Sequence, residues 1–348
     1  MAQKEITLAD IAKATGLSKG AVSCALRNSP MVSKQTCKRV QAVAKTMGYK
    51  KNELVSALMS KMRKGTVGGF LETIAVINGN LDEFALERHP TLPRYYQGIK
   101  EEAERLGYAI NEFWLHSPDF KCGKISKIFR SRGIRGGIVL GHSFCNTLPD
   151  DFNNLLHDFY FVSAGIRTYN QSLEVVASDD FLISYNAYTQ VSKLGYKRIG
   201  IILEEWIDDL VGGTLIGGFL RANLKTSLPY IEPFLEVEKS SNFKTKLESW
   251  ISQNNPDAIL YLLNTTRDFL KTIPLIKKKK IKLVQLERRG NFENWMGVEQ
   301  NNDLVGKVAV RRLADMLNRN SVRVGENSNM ITLVKPTWVD ETKGKKKI

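Results

Sequence analysis

The chain has 348 residues, which is enough for more than one domain and for a large buried core. Hydrophobic residues make up 43% and charged residues 25% of the sequence, which excludes a largely disordered chain, a collagen and a disulfide-stabilised miniprotein. The net charge of +15 points to a polyanionic partner if the basic residues are clustered.

The basic residues are clustered at the amino-terminal end. Residues 1–65 contain 13 Lys and Arg against 3 Asp and Glu, a net charge of +10, whereas the other 283 residues contribute only +5 (38 against 33). Two thirds of the excess charge therefore lies in less than a fifth of the chain. This distribution favours a nucleic-acid partner over a basic arm that is merely solvated.

Several other classes of protein are excluded by what the sequence lacks. The four cysteines and four histidines have no zinc, redox or catalytic-triad spacing, so we expect no metal, no cofactor and no enzyme activity. The first residues have no apolar segment typical of a secretory signal, and no apolar run is long enough to span a membrane. We therefore expect a cytoplasmic protein.

Three short helices are predicted near the amino terminus. Each follows a Thr or Ser that can cap its first N–H groups, at Thr7, Ser18 and Ser33. The predicted helices cover Leu8–Thr15, Lys19 to about Arg27, and Lys34–Met47. Gly16 supplies a short turn between the first two, which predicts a helix-turn-helix, although other small helical bundles have similar spacing.

The start of the second helix is narrow and basic. Ser18, Lys19, Gly20 and Ala21 are small or slender, so this end of the helix could enter the major groove of DNA deeply. The Lys19 ammonium could then donate hydrogen bonds to guanine acceptors. These residues predict a recognition helix.

Two stretches make this prediction specific, ITLADIAKATGLSKGAVSCALRN and VSKQTCKRVQAVAKTMGYKKNELVSAL. They resemble, without gaps over residues 6–60, the DNA-binding headpiece and hinge of the lactose-repressor/purine-repressor family. The resemblance implies a regulator, most simply a repressor, that binds a palindromic operator on double-stranded DNA as a homodimer. It implies base reading by Lys19 and Gly20. Residues that fall at or beside family contacts to the DNA backbone are Thr7, Ser18, Ser23, Thr36, Tyr49 and Asn52.

The sequence departs from the family pattern at two positions. Cys24 stands where the family usually has an arginine, and Arg27 either replaces that contact or binds phosphate. Lys51 stands where the family has a proline before the hinge. These departures leave the binding mode intact and change the expected operator sequence.

Residues 53–66 are predicted to form a hinge helix or linker. A helix of this length is marginally stable alone in water, so it could fold only when two copies pair on DNA. By resemblance, Leu58 wedges into the minor groove with Val55 beside it, and the wedge kinks a central base step. A rigid amphipathic linker is the alternative.

The remaining chain alternates apolar runs with helical patterns. Six apolar runs read as buried strands, at 73–77, 136–140, 159–165, 198–203, 258–263 and 282–286. Helical patterns between them, such as 95–108 and 180–196, favour two doubly wound parallel-sheet lobes. The predicted fold is thus an all-α helix-turn-helix headpiece followed by an α/β core that resembles periplasmic sugar-binding proteins.

The predicted domain limits follow from these patterns. The headpiece covers 1–52, the hinge 53–66, the two-lobed core 67–342 and a basic tail 343–348. The resemblance implies that the chain crosses between the lobes near 177, 298 and 328. The lysine run at 277–280 lies between a helix and a strand, which favours a solvated turn over a second DNA contact.

Ligands bind such folds in the cleft between the lobes, where the strands end at their carboxyl ends. Side chains that follow predicted strands are therefore candidates for binding a small-molecule effector, namely Asn78, Phe144, Trp206, Asp208, Asn264, Glu287 and Gln300. Aromatic rings, amides and carboxylates suit a carbohydrate-like ligand. The resemblance places Asn264, Glu287 and Gln300 at frequent effector contacts, but puts Leu215 where the family has an arginine and Thr265 where it has an aspartate.

Together these patterns favour a DNA-binding regulator whose affinity is set by an effector. A ligand-binding receptor without DNA function is the alternative. The basic amino-terminal segment argues against it.

Overall fold

The computed structural model describes residues 8–26, 32–47, 72–141, 146–165, 168, 173–236, 243–290, 295–319 and 330–340. The predicted hinge at 53–66 and the predicted basic tail at 343–348 lie outside these residues. Within them, no helix is both long and apolar enough to cross a membrane.

Three helices form a headpiece at the amino terminus, as predicted. They are α1 (Leu8–Thr15), α2 (Lys19–Leu26) and α3 (Lys34–Thr46). Ile11, Val22 and Val40, one from each helix, are fully buried and form a single small core. Gly16 has a φ of 69°, a left-handed conformation that ends α1 and turns the chain into α2.

The first lobe contains a parallel sheet with helices on both faces. Its strands are β1 (Glu72–Asn78), β2 (Tyr108–Trp114), β3 (Gly136–Leu140), β4 (Tyr160–Ala164) and β5 (Glu174–Ser178). Its helices here are α4 (Ala85–Arg88), α5 (Leu92–Leu106), α6 (Cys122–Arg132) and α7 (Asn153–Asp158). The strand order β5-β4-β3-β1-β2 reverses direction between β1 and β3, which is where open α/β sheets bind ligands.

The second lobe repeats this arrangement. Its strands are β6 (Ile199–Glu204), β7 (Phe234–Glu236), β8 (Ala258–Tyr261), β9 (Lys282–Gln285) and β10 (Met296–Glu299). Its helices are α8 (Asp180–Lys193), α9 (Glu205–Leu210), α10 (Thr214–Thr226), α11 (Phe243–Asn254), α12 (Asn264–Thr272) and α13 (Pro274–Lys278). The order β10-β9-β8-β6-β7 matches that of the first lobe, so the predicted pair of doubly wound lobes is confirmed.

The last described elements return to both lobes. Helix α14 (Asn302–Arg319) packs on α5 of the first lobe, β11 (Ile331–Val334) pairs parallel with β5, and β12 (Thr337–Asp340) pairs antiparallel with β10. The chain thus passes between the sheets after β5, after β10 and between β11 and β12. The third passage lies at 335–336, so the prediction near 328 is wrong, because β11 was not recognised as a strand of the first sheet.

Glycines let two helix pairs approach closely. A Cβ atom on Gly98 of α5 would lie 1.9 Å from the Asp303 carbonyl oxygen, and one on Gly306 of α14 would lie 2.1 Å from the Tyr95 carbonyl oxygen. In the second lobe, a Cβ atom on Gly218 of α10 would lie 2.2 Å from the Phe181 carbonyl oxygen of α8. These contacts fix how each helix pair lies on its sheet.

Candidate nucleic-acid interface and interlobe cleft

The start of α2 is capped and exposed. The Ser18 hydroxyl accepts a hydrogen bond from the Ala21 N–H at 3.1 Å, as an N-cap residue does. Val22 and Ala25 of the same helix are buried against the other headpiece helices, whereas Lys19 is exposed. The packing of α2 therefore leaves its first turn free to meet a partner.

Gly20 is not required by the fold of the headpiece. A Cβ atom at this position would have only the Ser18 hydroxyl within 4 Å, at 3.8 Å, and the backbone is not left-handed here. Glycine inside a helix costs roughly 0.5–1 kcal/mol relative to alanine. Packing within the protein does not explain this glycine. A glycine at an exposed helix end would, however, let a bulky partner approach the backbone closely.

The headpiece surface is strongly basic. The lysines and arginine of its described residues are all exposed, namely Lys13, Lys19, Lys34, Lys38, Arg39 and Lys45. None of these six side chains forms an ion pair with a described residue. Arg39 donates a hydrogen bond to the Thr15 carbonyl at 3.3 Å. Their charges are thus available to the phosphates of a nucleic acid.

Two further predicted backbone contacts lie beside helix ends or faces. Thr36 is half-buried in the first turn of α3, where its hydroxyl and that of Ser33 lie 2.8 Å apart. Ser23 is half-buried on α2, one turn after Lys19. The predicted DNA-binding residues Thr7, Arg27, Tyr49, Asn52, Val55 and Leu58 lie outside the described residues.

The floor of the interlobe cleft is formed where the chain passes between the sheets. Tyr95 lies in the first turn of α5 and is buried beside Ser178, the last residue of β5. The Ser178 hydroxyl donates to the Gln300 carbonyl at 3.0 Å, which ties the first passage to the second. Burial raises the pKa of Tyr95, and the negative charge of Glu287 acts in the same direction, so the phenol keeps its proton as a donor.

A buried ion pair lies on the second-lobe side of the cleft. Arg289 and Glu287, just after β9, form a salt bridge and are both almost fully buried. Arg289 also faces His89 of the first lobe, and burial together with the charge of Arg289 lowers the pKa of His89 to about 4. The His89 Nδ1 lies 3.3 Å from the Thr91 N–H and accepts from it, so at neutral pH this imidazole is uncharged with its proton on Nε2.

A chain of amides holds the loop that carries this ion pair. Trp295 donates from Nε1 to the Gln285 side-chain oxygen at 3.0 Å, and Gln285 donates to the Asn264 side-chain oxygen at 2.9 Å. Asn264 in turn donates to the Arg289 carbonyl at 2.7 Å. Asn264 therefore positions Arg289 beside Glu287, as the sequence could not show.

Asn78, a predicted effector contact, is bonded within its own loop. Its side chain is 2% exposed. Its amide nitrogen donates to the Asp82 and Glu83 carbonyls at 3.0 and 2.9 Å, and its oxygen accepts from the Asn80 N–H at 3.0 Å. An amide with these three bonds has little capacity left, so Asn78 shapes the loop after β1.

Trp206 and Asp208 lie on the short helix α9, directly after β6. Trp206 is 52% exposed, which is unusual for so large an apolar side chain and leaves its ring available for stacking. Asp208 is buried, and one of its oxygens accepts from the Leu215 and Ile216 N–H groups at 3.0 and 3.3 Å. Asp208 thus caps α10, and burial raises its pKa.

Asn146 connects the lobes across the cleft. Its side chain is 1% exposed and donates to the carbonyl of Leu210, at the end of α9, at 3.1 Å. Its φ of 50° is left-handed, which asparagine tolerates better than most residues. The predicted neighbour Phe144 lies outside the described residues.

Several buried polar atoms of this region have no hydrogen-bond partner among the described residues. They are the side-chain oxygens of Asn146 and Gln300, the second oxygen of Glu204 at the end of β6, Nε of Arg289 and the side-chain oxygen of Asn302. Unpaired buried polar atoms cost roughly 1–3 kcal/mol each, so such a set suits a ligand with several donors and acceptors. No group of His, Cys, Asp and Glu in the described chain is arranged to hold a metal ion.

Some cleft residues were not found from the sequence. Tyr95 belongs to a helix, His89 to an irregular loop and Asn146 to the segment after β3. Of the missed residues only Arg289 carries a signal, since it follows the predicted Glu287 by two positions. Leu215, which stands where the resemblance implies an arginine, is buried in the second-lobe core.

The comparisons with known proteins agree with this architecture. Residues 7–52 match the family model described as "Bacterial regulatory proteins, lacI family". The matched stretch contains α1, α2 and α3, so the resemblance to this family model covers the three-helix headpiece.

Named relatives and solved structures cover more of the chain. The HTH-type transcriptional regulator MalR of Streptococcus pneumoniae (strain TIGR4) is 25% identical over 57% of this chain and 56% of its own length, so the match spans little more than half of that relative. A CelR–cellobiose complex has a TM-score of 0.57 at 16% identity over 97% and 99% of the two chains. A lac repressor dimer bound to operator and the anti-inducer ONPF has a TM-score of 0.54 at 15% identity over 97% and 98%.

Proposed function

We propose that this chain is a transcriptional repressor of the lacI family, which binds a palindromic DNA operator as a homodimer in the cytoplasm. The observation that carries the proposal is the first turn of α2, which leaves Lys19 and Gly20 exposed in a basic headpiece that does not need them for its fold. The solved lac repressor neighbour is a dimer bound to operator, which supports the same mode here. A receptor without DNA function would have no use for this headpiece.

The proposed domains keep the predicted limits. Residues 1–52 bind DNA, residues 53–66 act as the hinge, and the core from 67 to 342 senses the effector and dimerises. Two headpieces reach half-sites about one duplex turn apart, since a two-fold axis of the protein matches the two-fold axis of the operator. The hinge segments fold when they pair on DNA, and Leu58 with Val55 opens a central base step.

We infer that the effector is a small carbohydrate-like molecule bound in the cleft. The exposed ring of Trp206 suits stacking on a sugar face, and the unpaired atoms of Gln300 and Arg289 suit hydrogen bonds to its hydroxyl groups. The solved CelR neighbour is a cellobiose complex, and this supports a saccharide here as well. Asn264 and Glu287 act by holding Arg289 in place.

The effector acts by changing the relative orientation of the two lobes. The lobes touch at Asn146 and Leu210 and are joined by three chain passages, so a ligand between them favours one relative position. A change at the passages alters the spacing of the two hinge segments and therefore the DNA affinity. Coupling free energies of this kind are roughly 1–3 kcal/mol, or about 5- to 150-fold in affinity.

The test is to select bound duplexes from a random pool, with and without a panel of mono- and disaccharides and nucleosides. We expect a palindromic sequence to be enriched and one saccharide to change its affinity. Full-length protein with Lys19→Ala serves as the control and should enrich the sequence less. If no duplex is enriched under any condition, the proposed DNA recognition is contradicted. If a duplex is enriched but no compound changes its affinity, control by a saccharide or nucleoside is contradicted.

A further inference from the structure

A second cluster of basic side chains lies at the end of the second lobe opposite the cleft. There the strands β6, β8 and β9 begin and the helices α8, α12 and α13 end. We call this surface the basic pole; it consists of Lys193, Lys197, Lys271, Lys277, Lys278, Lys279, Lys280 and Lys282. All of these are exposed except Lys282, which is half-buried.

Strand register and hydrogen bonds bring the pole together. Ala258 of β8 is paired with Ile199 of β6 on one side and with Lys282 of β9 on the other. Asp257 accepts from the Lys197 N–H at 2.7 Å, and its carbonyl accepts from the Lys282 N–H at 3.0 Å. The Lys279 ammonium donates to the Asn255 side-chain oxygen at 2.7 Å. Residues far apart in sequence thus form one surface.

The charge of the pole is not neutralised within the described protein. No carboxylate lies within ion-pair distance of any of its eight lysines among the described residues. The nearby carboxylate of Asp257 is occupied by the Lys197 and Arg198 N–H groups at 2.7 and 3.0 Å. Like charges gathered on one surface repel each other and destabilise the folded state.

Helix termini explain only part of the cluster. A lysine in the last turn of a helix is stabilised by the helix dipole by roughly 0.3–1 kcal/mol, which accounts for Lys193, Lys271, Lys277 and Lys278. Lys280 has no such reason. It lies in the turn before β9 with a φ of 53°, a left-handed conformation that glycine or asparagine would adopt more easily.

We propose that the basic pole binds the phosphate backbone of a second DNA duplex. Lysines act as flexible point charges, which suits contacts to phosphates and not the reading of bases. An acidic protein would need an apolar centre for a stable interface, but no large hydrophobic side chain is exposed within 193–198, 254–257 or 271–282. The contact is independent of sequence and weakens steeply with salt.

This second contact does not depend on the headpiece. The pole lies in the second lobe, whereas the headpiece precedes the first lobe in the chain. If the proposed operator binding also holds, one protein would connect an operator duplex to a neighbouring duplex. The two activities are therefore separable by variants on each surface.

The experiment measures binding of the full chain to a random-sequence duplex by fluorescence anisotropy over a series of salt concentrations. The pole variant combines Lys277→Gln, Lys278→Gln and Lys280→Gln. The control variant combines Lys121→Gln, Lys244→Gln and Lys246→Gln, which removes the same charge at exposed sites elsewhere. Both are made in wild-type and Lys19→Ala backgrounds, and circular dichroism verifies folding.

We expect the pole variant to bind the random duplex about tenfold or more weakly at low salt. The slope of log affinity against log salt should fall by about one for each lysine that contacts phosphate. The control variant should behave like wild type, and selected operator affinity should stay unchanged in the pole variant. Equal behaviour of pole and control variants would overturn the proposal. The proposal would also be overturned if polyglutamate bound to the pole while duplex binding did not depend on the pole lysines. That result would point to an acidic protein as the partner.

Discussion

Gly20 and Lys19 lie exposed in the first turn of α2, and the headpiece fold does not require a glycine at position 20. Alanine would fit at position 20 in the protein alone, because a Cβ atom there meets only the Ser18 hydroxyl at 3.8 Å. We therefore expect Gly20→Ala to stabilise α2 by roughly 0.5–1 kcal/mol and yet to weaken binding to the selected operator. Hydrogen exchange of α2 measures the first effect and anisotropy the second. Unchanged DNA affinity would remove the close-approach role of Gly20.

Lys19 is expected to read bases, so its loss should change specificity as well as affinity. Lys19→Ala should weaken operator binding by roughly 1–3 kcal/mol and reduce the discrimination between operator and random duplex. Lys38→Ala, an equally exposed lysine of α3, is the matched control and should weaken both duplexes alike. Equal losses on both duplexes for Lys19→Ala would assign it to phosphate contact only.

His89 gives the cleft a dependence on pH. Its pKa of about 4 in the folded protein lies below the ordinary value of 6.5. Between these two pH values the imidazole is protonated in the unfolded chain and neutral in the folded protein. The stability contributed by the neutral imidazole is present above about pH 6.5 and is lost as the pH falls toward 4. The melting temperature of His89→Gln should therefore fall less than that of wild type between pH 7 and pH 4.5. Parallel pH profiles of the two proteins would contradict this.

The positions of some cleft residues could be predicted from strand ends, and those of others could not. Glu287 and Gln300 follow recognisable strands, so strand ends located them near the cleft. His89, Tyr95 and Arg289 were missed because their approach depends on how the two lobes face each other. The bonds of the Asn78 amide to its own loop were not predictable, because a strand-end position does not show which way the side chain turns.

At the scale of elements, close helix contacts can be tested with adjacent glycines. Gly218 of α10 has no room for a methyl group beside the Phe181 carbonyl, whereas a Cβ atom on Gly217 would have only the Phe181 ring edge at 3.9 Å. Gly218→Ala should destabilise the second lobe by roughly 1–3 kcal/mol through overpacking. Gly217→Ala should be neutral or slightly stabilising. Chemical denaturation of the two variants checks this, and equal stabilities would contradict the close packing.

The central strands β1, β3, β4, β6, β8 and β9 were predicted from the sequence, whereas β5, β10 and the edge strands were not. Strands β3, β4 and β6 are buried along their whole length, so their sequences are continuous apolar runs. Strands β2, β11 and β12 are largely half-buried or exposed, and their mixed sequences carry no such signal. Short edge strands form because a neighbouring strand offers a partner, and that information is not local in the sequence.

At the scale of the whole molecule, effector response should separate from DNA binding. Trp206 is 52% exposed on the second lobe, far along the chain from the headpiece, so Trp206→Ala should leave the fold and the basal operator affinity unchanged. The response to the effector should be lost, since the ring that we propose to stack on the ligand is gone. Operator binding with and without the active saccharide measures both. A response of wild-type size would exclude Trp206 from the site.

The segment from β11 to β12 completes both sheets, since it supplies one edge strand to each lobe. During synthesis, α1, α2 and α3 emerge from the ribosome long before this segment does. A nascent chain can therefore hold a finished helix-turn-helix while neither sheet has its full set of strands. Chains truncated before β11, by premature termination or proteolysis, would keep α1, α2 and α3 and lack one strand of each sheet, and with it the proposed means by which an effector changes DNA affinity.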